Sequence, residues 1–428
     1  MIKRSFFSLT KPRLKYPVVE KHKEKAVREI PLPRKVTLFF KPSGATNNNM
    51  PVQVGDKVKT GQKLQLGEKS TDYLISTVTG NISGISEYIG YLRQSYTAIS
   101  IDTAKEDQWV YEFSETGKTS LREKTLDFFG SLPGNPDFAS ILSVQPPVNT
   151  LVVNGIDQDL LVTTNQVIVR TQIERLKEGI ANLKKIFSGS RLIIAVAPDL
   201  VPEARKTGVE VLSVKPSYPD TLPKMIMKNL LRKEVAPGKT CEEMGVGFVN
   251  AEAVVALAGA FSEGKMPVTK MITVIGKDNA AVNVRARIGT PVGDILNALQ
   301  IQTSHGDALV LGGPMTGRAV YSEDTPVLYD TDALMVQDKE QIVRGSDTHC
   351  VNCGECVRAC PARVPANMLI RLLENGLYEE AVEQYDLLSC IECGLCSYVC
   401  IAQIPLFHYI MLGKYEFARI KTAEESNV

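Results

Sequence analysis

Towards its C-terminal end the chain uses one cysteine spacing twice: Cys350, Cys353, Cys356 and Cys360, followed by Pro361, and then Cys390, Cys393, Cys396 and Cys400. Each copy reads C-x2-C-x2-C-x3-C, the pattern in which three thiolates wrap one face of an iron-sulfur cubane and the fourth reaches across to a second cluster. The spacing predicts two [4Fe-4S] clusters with crossed ligands. Cys350, Cys353, Cys356 and Cys400 hold one, and Cys360, Cys390, Cys393 and Cys396 hold the other. Neither cluster is complete without a cysteine from the other copy, so this segment can fold only as one interlocked unit.

Other uses of cysteine fit less well. Zinc quartets form from paired C-x2-C knuckles, and three cysteines at successive x2 spacings suit a tetrahedron poorly. A colourless, structural zinc module with no redox role is the reading of another class. Eight crowded cysteines with one remote Cys241 do not make a secreted disulfide framework. Cys241 stands between the Pro237-Gly238 turn and a glycine-rich stretch, without a cysteine neighbour, and reads as a plain thiol. His349 and His408 flank the module, but sulfur already fills every coordination position, so both read as capping or satisfied side chains.

At 428 residues the chain exceeds a single core and should divide into several domains. Lys plus Arg total 49 against 48 for Asp plus Glu, a net charge of +1 that argues against nucleic acid as a principal partner. The best apolar stretches, such as 251–261, are short and interrupted, so no membrane-spanning helix is expected. The basic N-terminus with its Phe6-Phe7 pair lacks the apolar core and cleavage site of a secretory signal. A reducing, cytoplasmic location fits this and the cysteines. Lys3, Arg4, Phe6, Phe7, Lys11, Arg13 and Lys15 are read as a solvated arm, with a lipid or partner surface as the alternative.

Patterning divides the chain into a multidomain α/β protein of four blocks: 1–112, 113–265, 266–345 and 346–428. In the first, PVQVGDKVKTGQKLQLGEKSTDYLISTVTGNISGI alternates apolar residues at period two, with turns expected at Gly55-Asp56, Gly61, Gly67 and Gly80-Asn81. It resembles the barrel-sandwich hybrid of biotin and lipoyl carriers. At the carrier turn stand Ser76, Thr77, Val78, Thr79 and Gly80, with no lysine, so the block reads as scaffold. The second block alternates β and α: apolar runs at 151–153 and 192–196, with an amphipathic stretch at 172–187, predict a layered, Rossmann-like domain. It has neither a Gly-x-Gly-x-x-Gly nor a Walker lysine. In the third, TVIGKDNAAVNVRARIGTPVGDILNAL predicts strand, turn, strand and a helix opened by Thr290-Pro291, a small β-grasp unit. The loop Leu311-Gly312-Gly313-Pro314-Met315-Thr316-Gly317 reads equally as a tight turn and as a ligand contact. The fourth should be helical around the clusters: Leu369, Ile370, Leu372 and Leu373 precede a C-cap at Asn375-Gly376, and a second helix is expected over 379–388.

This order of blocks resembles the C subunit of the Rnf ion-translocating electron-transport complex. VQVGDKVKTGQKL, ITVIGKDN, IGTPVGDIL, LGGPMTG, CVNCGECVRACP, DLLSCIECGLCSYVC and the IPL at 404–406 carry the resemblance. It implies a peripheral subunit on the cytoplasmic face of a membrane, transferring electrons between NADH and ferredoxin while the complex moves sodium ions or protons. It also implies an FMN and NADH site in the layered domain. Departures fall on that site. The family's Gly-Gly-His-Pro segment corresponds to SFFSLTKPRLKYP at 5–17, and its acidic motif after the first strand to Asn154, Gly155, Ile156, Asp157, Gln158 and Asp159. The paired-glycine loop corresponds to Tyr218-Pro219 with Asp220, Thr221, Leu222 and Pro223, and a Leu-Pro pair cannot approach a flavin phosphate as Gly-Gly backbone does. Cys400-Ile401 replaces Cys-Pro without removing a ligand. The expectation is a cluster relay whose flavin site is lost or remodelled, so that electrons enter from another subunit such as a cytochrome or ferredoxin-like partner. The alternative is a soluble NADH-dependent flavin and iron-sulfur reductase of the cobalamin-reductase type.

Overall fold

The computed structural model describes residues 12, 14–17, 26–41, 51–67, 72–111, 120–128, 130, 132–134, 136–343, 345, 346 and 348–426. Sixteen strands are present among them, in four sheets. The first sheet contains β2 (Lys35–Phe40), β3 (Lys57–Val58), β6 (Gly80–Ile89) and β7 (Ser95–Thr103), in the order β2-β7-β6-β3, and β4 (Lys63–Gln65) pairs with β5 (Tyr73–Ile75) in a second, two-stranded sheet. Val36, Leu38 and Phe40 point inward from alternate positions of β2 and meet Leu64, Leu74, Ile99 and Ile101 in one core. Gly55 and Gly61 take the positive φ that their turns require. Gly80-Asn81 is not a turn: Gly80 opens β6 because a Cβ there would lie 2.0 Å from the Asp102 carbonyl oxygen. The carrier-type turn is buried, and Thr77 Oγ1 donates to the Ile288 carbonyl at 2.7 Å. That turn is a joint to the third block.

The second block forms a four-stranded parallel sheet from β8 (Thr150–Asn154), β9 (Arg191–Val196), β10 (Glu210–Ser213) and β11 (Val246–Asn250), in the order β10-β9-β8-β11. Every residue of β8 is buried, as a strand covered on both faces must be. The predicted amphipathic stretch is the helix Ile173–Ile186, whose buried Leu176, Gly179, Ile180 and Leu183 recur at helical spacing. It packs on the helix Ala251–Glu263, and Gly179 sits where a Cβ would strike the Val254 carbonyl oxygen at 2.2 Å. Asn250 caps that second helix and Gly264, at φ +67, ends it.

The third block supplies five strands of a six-stranded mixed sheet whose edge strand β1 (Arg28–Glu29) comes from the first block: β1, β13 (Ala281–Arg287), β12 (Thr269–Ile275), β16 (Ala333–Gln337), β14 (Ala308–Leu311) and β15 (Arg318–Val320) in spatial order. The predicted hairpin and the helix Val292–Ala298 are present. Lys270 of β12, fully buried, pairs with Glu252 of the preceding block's last helix and with Asp332, clamping the two layers together.

The fourth block is helical: Glu355–Ala359, Ala366–Glu374, Tyr378–Glu383, Leu395–Val399 and Leu406–Ser426. Asn375 caps the second of these with Gly376 at φ +71, as expected. The helix expected over 379–388 stops at Glu383: Asp386 turns left-handed at φ 55, Leu387 is buried, and one 3-10 turn delivers Cys390. At the other end, Lys15, the one residue of the basic arm that is described, is exposed, while the backbone beside it is docked. Leu14 and Tyr16 hydrogen-bond Tyr218 and Pro216 through their backbones, and Tyr16 is buried. Lys3, Arg4, Phe6, Phe7, Lys11 and Arg13 lie outside the described residues. Among those described, no helix is long and apolar enough to cross a membrane.

Candidate metal centre

The two cysteine motifs are copies in backbone as well as in sequence, offset by 40 residues. Asn352 and Glu392 are left-handed at φ 54 and 60, Gly354 and Gly394 at 73 and 70, Arg363 and Gln403 at 56 and 56. The Asn352 N–H donates to Cys350 Sγ and the Glu392 N–H to Cys390 Sγ, both at 3.4 Å. Each loop then opens a short helix, 355–359 or 395–399, and a longer one after Pro365 or Pro405. These turns break the helix between successive cysteines, which an uninterrupted helix would fan apart.

Cys350, Cys353 and Cys356 line one small cavity together with Cys400 from the other copy, walled by Val351, Ile404 and Leu406. Cysteines of the other expected group are coupled electrostatically. Burial pushes the Cys393 thiol up to about 12, with Cys390 and Cys360 adding to the rise, and burial raises Cys390, with Cys360 again contributing. Burial also raises Cys356 to about 11, helped by Cys350, Cys353 and Cys400, and holds Cys396 well above the usual thiol range. Thiols that are buried and would repel one another once ionised need a cationic partner, and a metal that displaces their protons supplies it. No three His, Cys, Asp or Glu side chains among the described residues converge as ligands of a single ion. A cubane places each thiolate on a different iron. The donor set is therefore suited to iron-sulfur clusters.

Residues 16–106 match the RnfC barrel sandwich hybrid domain and residues 342–401 match the 4Fe-4S dicluster domain. In these segments and along most of its length the chain is similar to RnfC proteins. It is 25% identical over 386 residues to the C subunit of the proton-translocating ferredoxin:NAD(+) oxidoreductase complex of Clostridium ljungdahlii, covering 85% of this chain and 84% of that protein. The C subunits of two ion-translocating oxidoreductase complexes are also similar. That of Pectobacterium carotovorum is 26% identical, with 78% of this chain and 48% of that protein covered. That of Buchnera aphidicola is 25% identical, with 78% and 70% covered. This chain thus spans about half the length of some of its RnfC relatives.

In this RnfC-like chain the departures in the layered block are occupied by internal contacts. Asp157 is buried and accepts from the Asn165 N–H at 2.8 Å and from its amide at 3.2 Å. Asp159 accepts from the Met315 and Thr316 N–H groups at 3.1 and 2.8 Å and from the Thr316 hydroxyl at 2.6 Å. Gly313 allows this approach, since a Cβ there would be 2.4 Å from the Asp159 carboxyl carbon. The LGGPMTG loop therefore wraps a carboxylate of this chain. Tyr16 donates to the Gln158 carbonyl and accepts from Thr221, bringing the arm against both altered segments. A cavity remains beside them, bounded by Gln158, Leu222, Lys224, Arg318, Cys390 and Glu392. Cys241 borders it as a buried thiol that burial raises to about 12, so it is a poor nucleophile and a poor ligand. His408 stands 3.4 Å from the Tyr91 hydroxyl and His349 is exposed. Sequence reasoning missed Tyr218, whose hydroxyl donates to the Cys393 carbonyl, and Lys414, which donates to the Cys390 carbonyl at 2.8 Å. Lys414 could have been found by aligning the two copies, where it falls opposite Glu374. Tyr218 stands out in the sequence only as part of the altered loop, and nothing there places it against Cys393, 175 residues away.

Proposed function

We propose that this chain relays electrons through two [4Fe-4S] clusters as a peripheral subunit, on the cytoplasmic side, of an Rnf-like ion-translocating oxidoreductase complex. The ligands are Cys350, Cys353, Cys356 and Cys400 for the first cluster, and Cys360, Cys390, Cys393 and Cys396 for the second. The observation that carries this reading is the crossing: three cysteines of one copy line a cavity with the last cysteine of the other. The clusters supply one-electron chemistry when bound; the protein supplies thiolates, N–H donors to sulfur and a largely apolar wall. The blocks 1–112, 113–265, 266–345 and 346–428 are its domains, the second Rossmann-like on its parallel order and the third of β-grasp type. Asp157, Asp159 and the Leu222-Pro223 turn spend on internal contacts the groups a flavin phosphate would use, which supports entry of electrons from another subunit rather than from NADH through FMN. The partners are the other subunits of the complex, with a ferredoxin or cytochrome as the redox neighbour.

Anaerobic purification followed by iron, sulfide and flavin analysis, with visible spectra before and after NADH, tests the proposal. About eight irons per chain, from two four-iron clusters, without flavin and with no spectral change on adding NADH, is the expected result. Bound FMN with NADH-driven bleaching would restore direct NADH oxidation. A colourless zinc protein would overturn the relay.

A further inference from the structure

The two cluster half-sites share a backbone but not a charge. In the first copy Asn352 is met by a neutral partner, the Asn367 amide, at 2.7 Å. At the corresponding place in the second copy Glu392 is met by the Lys414 ammonium, also at 2.7 Å, and Lys414 donates in addition to the Cys390 carbonyl. Lys414 projects from the long helix that follows the second motif, where the first copy has the exposed Glu374. Its side chain is 15% exposed. In the first copy Arg358 reaches the Cys353 carbonyl only at 3.4 Å and is 54% exposed. Water screens that charge, whereas Lys414 acts through protein.

We propose that Lys414 is a tuning residue that raises the reduction potential of the second cluster alone, with Glu392 opposing it. This rests on the relay reading above. Reduction places one further negative charge on the cluster, with no bond made or broken, and a fixed cation held against a ligand's own backbone favours that state. Glu392, 46% exposed, disfavours it more weakly, so the two side chains should act in opposite directions with the larger shift at Lys414.

The test is an EPR-monitored titration with dithionite and mediators of the anaerobically purified full chain, comparing Lys414→Met, Lys414→Arg and Glu392→Gln with the parent. Lys414→Met should lower one of the two midpoint potentials, by about tenfold in the reduction equilibrium or ~59 mV for one electron. The other potential should stay in place. Lys414→Arg should keep the parent value, and Glu392→Gln should raise the same potential that Lys414→Met lowers. Unchanged potentials in a protein that retains both clusters, or shifts of one sign in both variants, would overturn the inference and leave the relay intact. A parent protein without iron would instead defeat the relay. If Lys414→Met does not hold its second cluster, the sign of the Glu392→Gln shift decides.

Discussion

Lys270→Met should be among the most damaging single changes outside the cysteine motifs. The Lys270 side chain is 0% exposed; it donates to Glu252, to Asp332 Oδ1 at 2.7 Å and to the Met271 carbonyl at 3.3 Å. Burial opposes its charge, but Asp332 and Glu252 outweigh that and raise its pKa. Asp332, 41% exposed, can turn to water when the lysine is lost. Glu252, 8% exposed, cannot, and is left as a buried charge with only the Met271 N–H at 2.7 Å. Breaking such a pair costs about 3–5 kcal/mol. Burial already raises the Glu252 carboxyl, with Lys270 opposing it, so removing the lysine raises it further. A carboxyl raised above its unfolded value favours the fold at low pH and loses that contribution as pH rises through its folded pKa. The penalty of Lys270→Met should therefore be smaller at pH 5 than at pH 8. Lys270→Met with Glu252→Gln should recover most of it, since the amide needs no counter-charge. Denaturant unfolding followed by circular dichroism measures all three. A loss under about 1 kcal/mol, or a double variant no better than the single, would refute the argument that the uncompensated carboxylate carries the cost.

Gly354 and Gly394 are equivalent in the two copies and both left-handed, yet a Cβ at Gly354 meets nothing within 4 Å while one at Gly394 would lie 2.4 Å from the Met315 carbonyl oxygen. Gly354→Ala should cost only the backbone penalty of about 1–2 kcal/mol, and Gly394→Ala should lose more thermal stability and more iron per chain; equal losses would show that the Met315 contact does not matter. Asp157, raised by burial from its ordinary 3.8 to about 6, contributes stability that is present below pH 4 and lost as pH rises through 6. The unfolding free energy of the parent minus that of Asp157→Asn should therefore rise as pH falls from 7 to 4, by up to ~3 kcal/mol; a difference that stays flat or falls would mean the carboxyl is not raised.

Local patterning made much of this architecture legible. The cysteine spacings, the apolar runs of β8 and β9, the hairpin of β12 and β13 and the Asn375-Gly376 cap each depend on residues a few positions apart. The readings that failed depended on distant ones. Gly80 looks like a turn residue until Asp102 of the neighbouring strand is brought against it. The run at 379–388 has helical composition, but burying Leu387 and presenting Cys390 require the break at Asp386. The burial of Tyr16 next to the exposed Lys15 has no local signal, because nothing near Tyr16 in sequence forecasts its contacts with Gln158 and Thr221. The LGGPMTG loop is ambiguous by itself, between a turn and a ligand contact; it turns around Asp159, more than a hundred residues away, and its Thr316 and Gly317 also line the cavity beside Gln158.

Those distant contacts gather on one of the two cysteine copies. Gly394 packs against the LGGPMTG loop, the Cys393 carbonyl accepts from Tyr218, and Leu388 abuts Gly238, so the second copy is the joint to the second and third blocks. The cavity framed by Cys350, Cys353, Cys356 and Cys400 is instead lined by residues of the fourth block alone, and Val351 beside it is 60% exposed. A tandem duplication by itself would leave both copies alike, and their backbones are. The difference was added from outside, by side chains of other blocks and by the last helix. Under the relay reading this gives the pair a direction in space: the second cluster borders the cavity of the layered block through Cys390 and Glu392, and the first lies towards the exposed Val351 and whatever the chain docks against. Changes in the layered block should then register first at the second cluster, and the exposed surface around Val351 should matter to exchange with a partner rather than to cluster assembly.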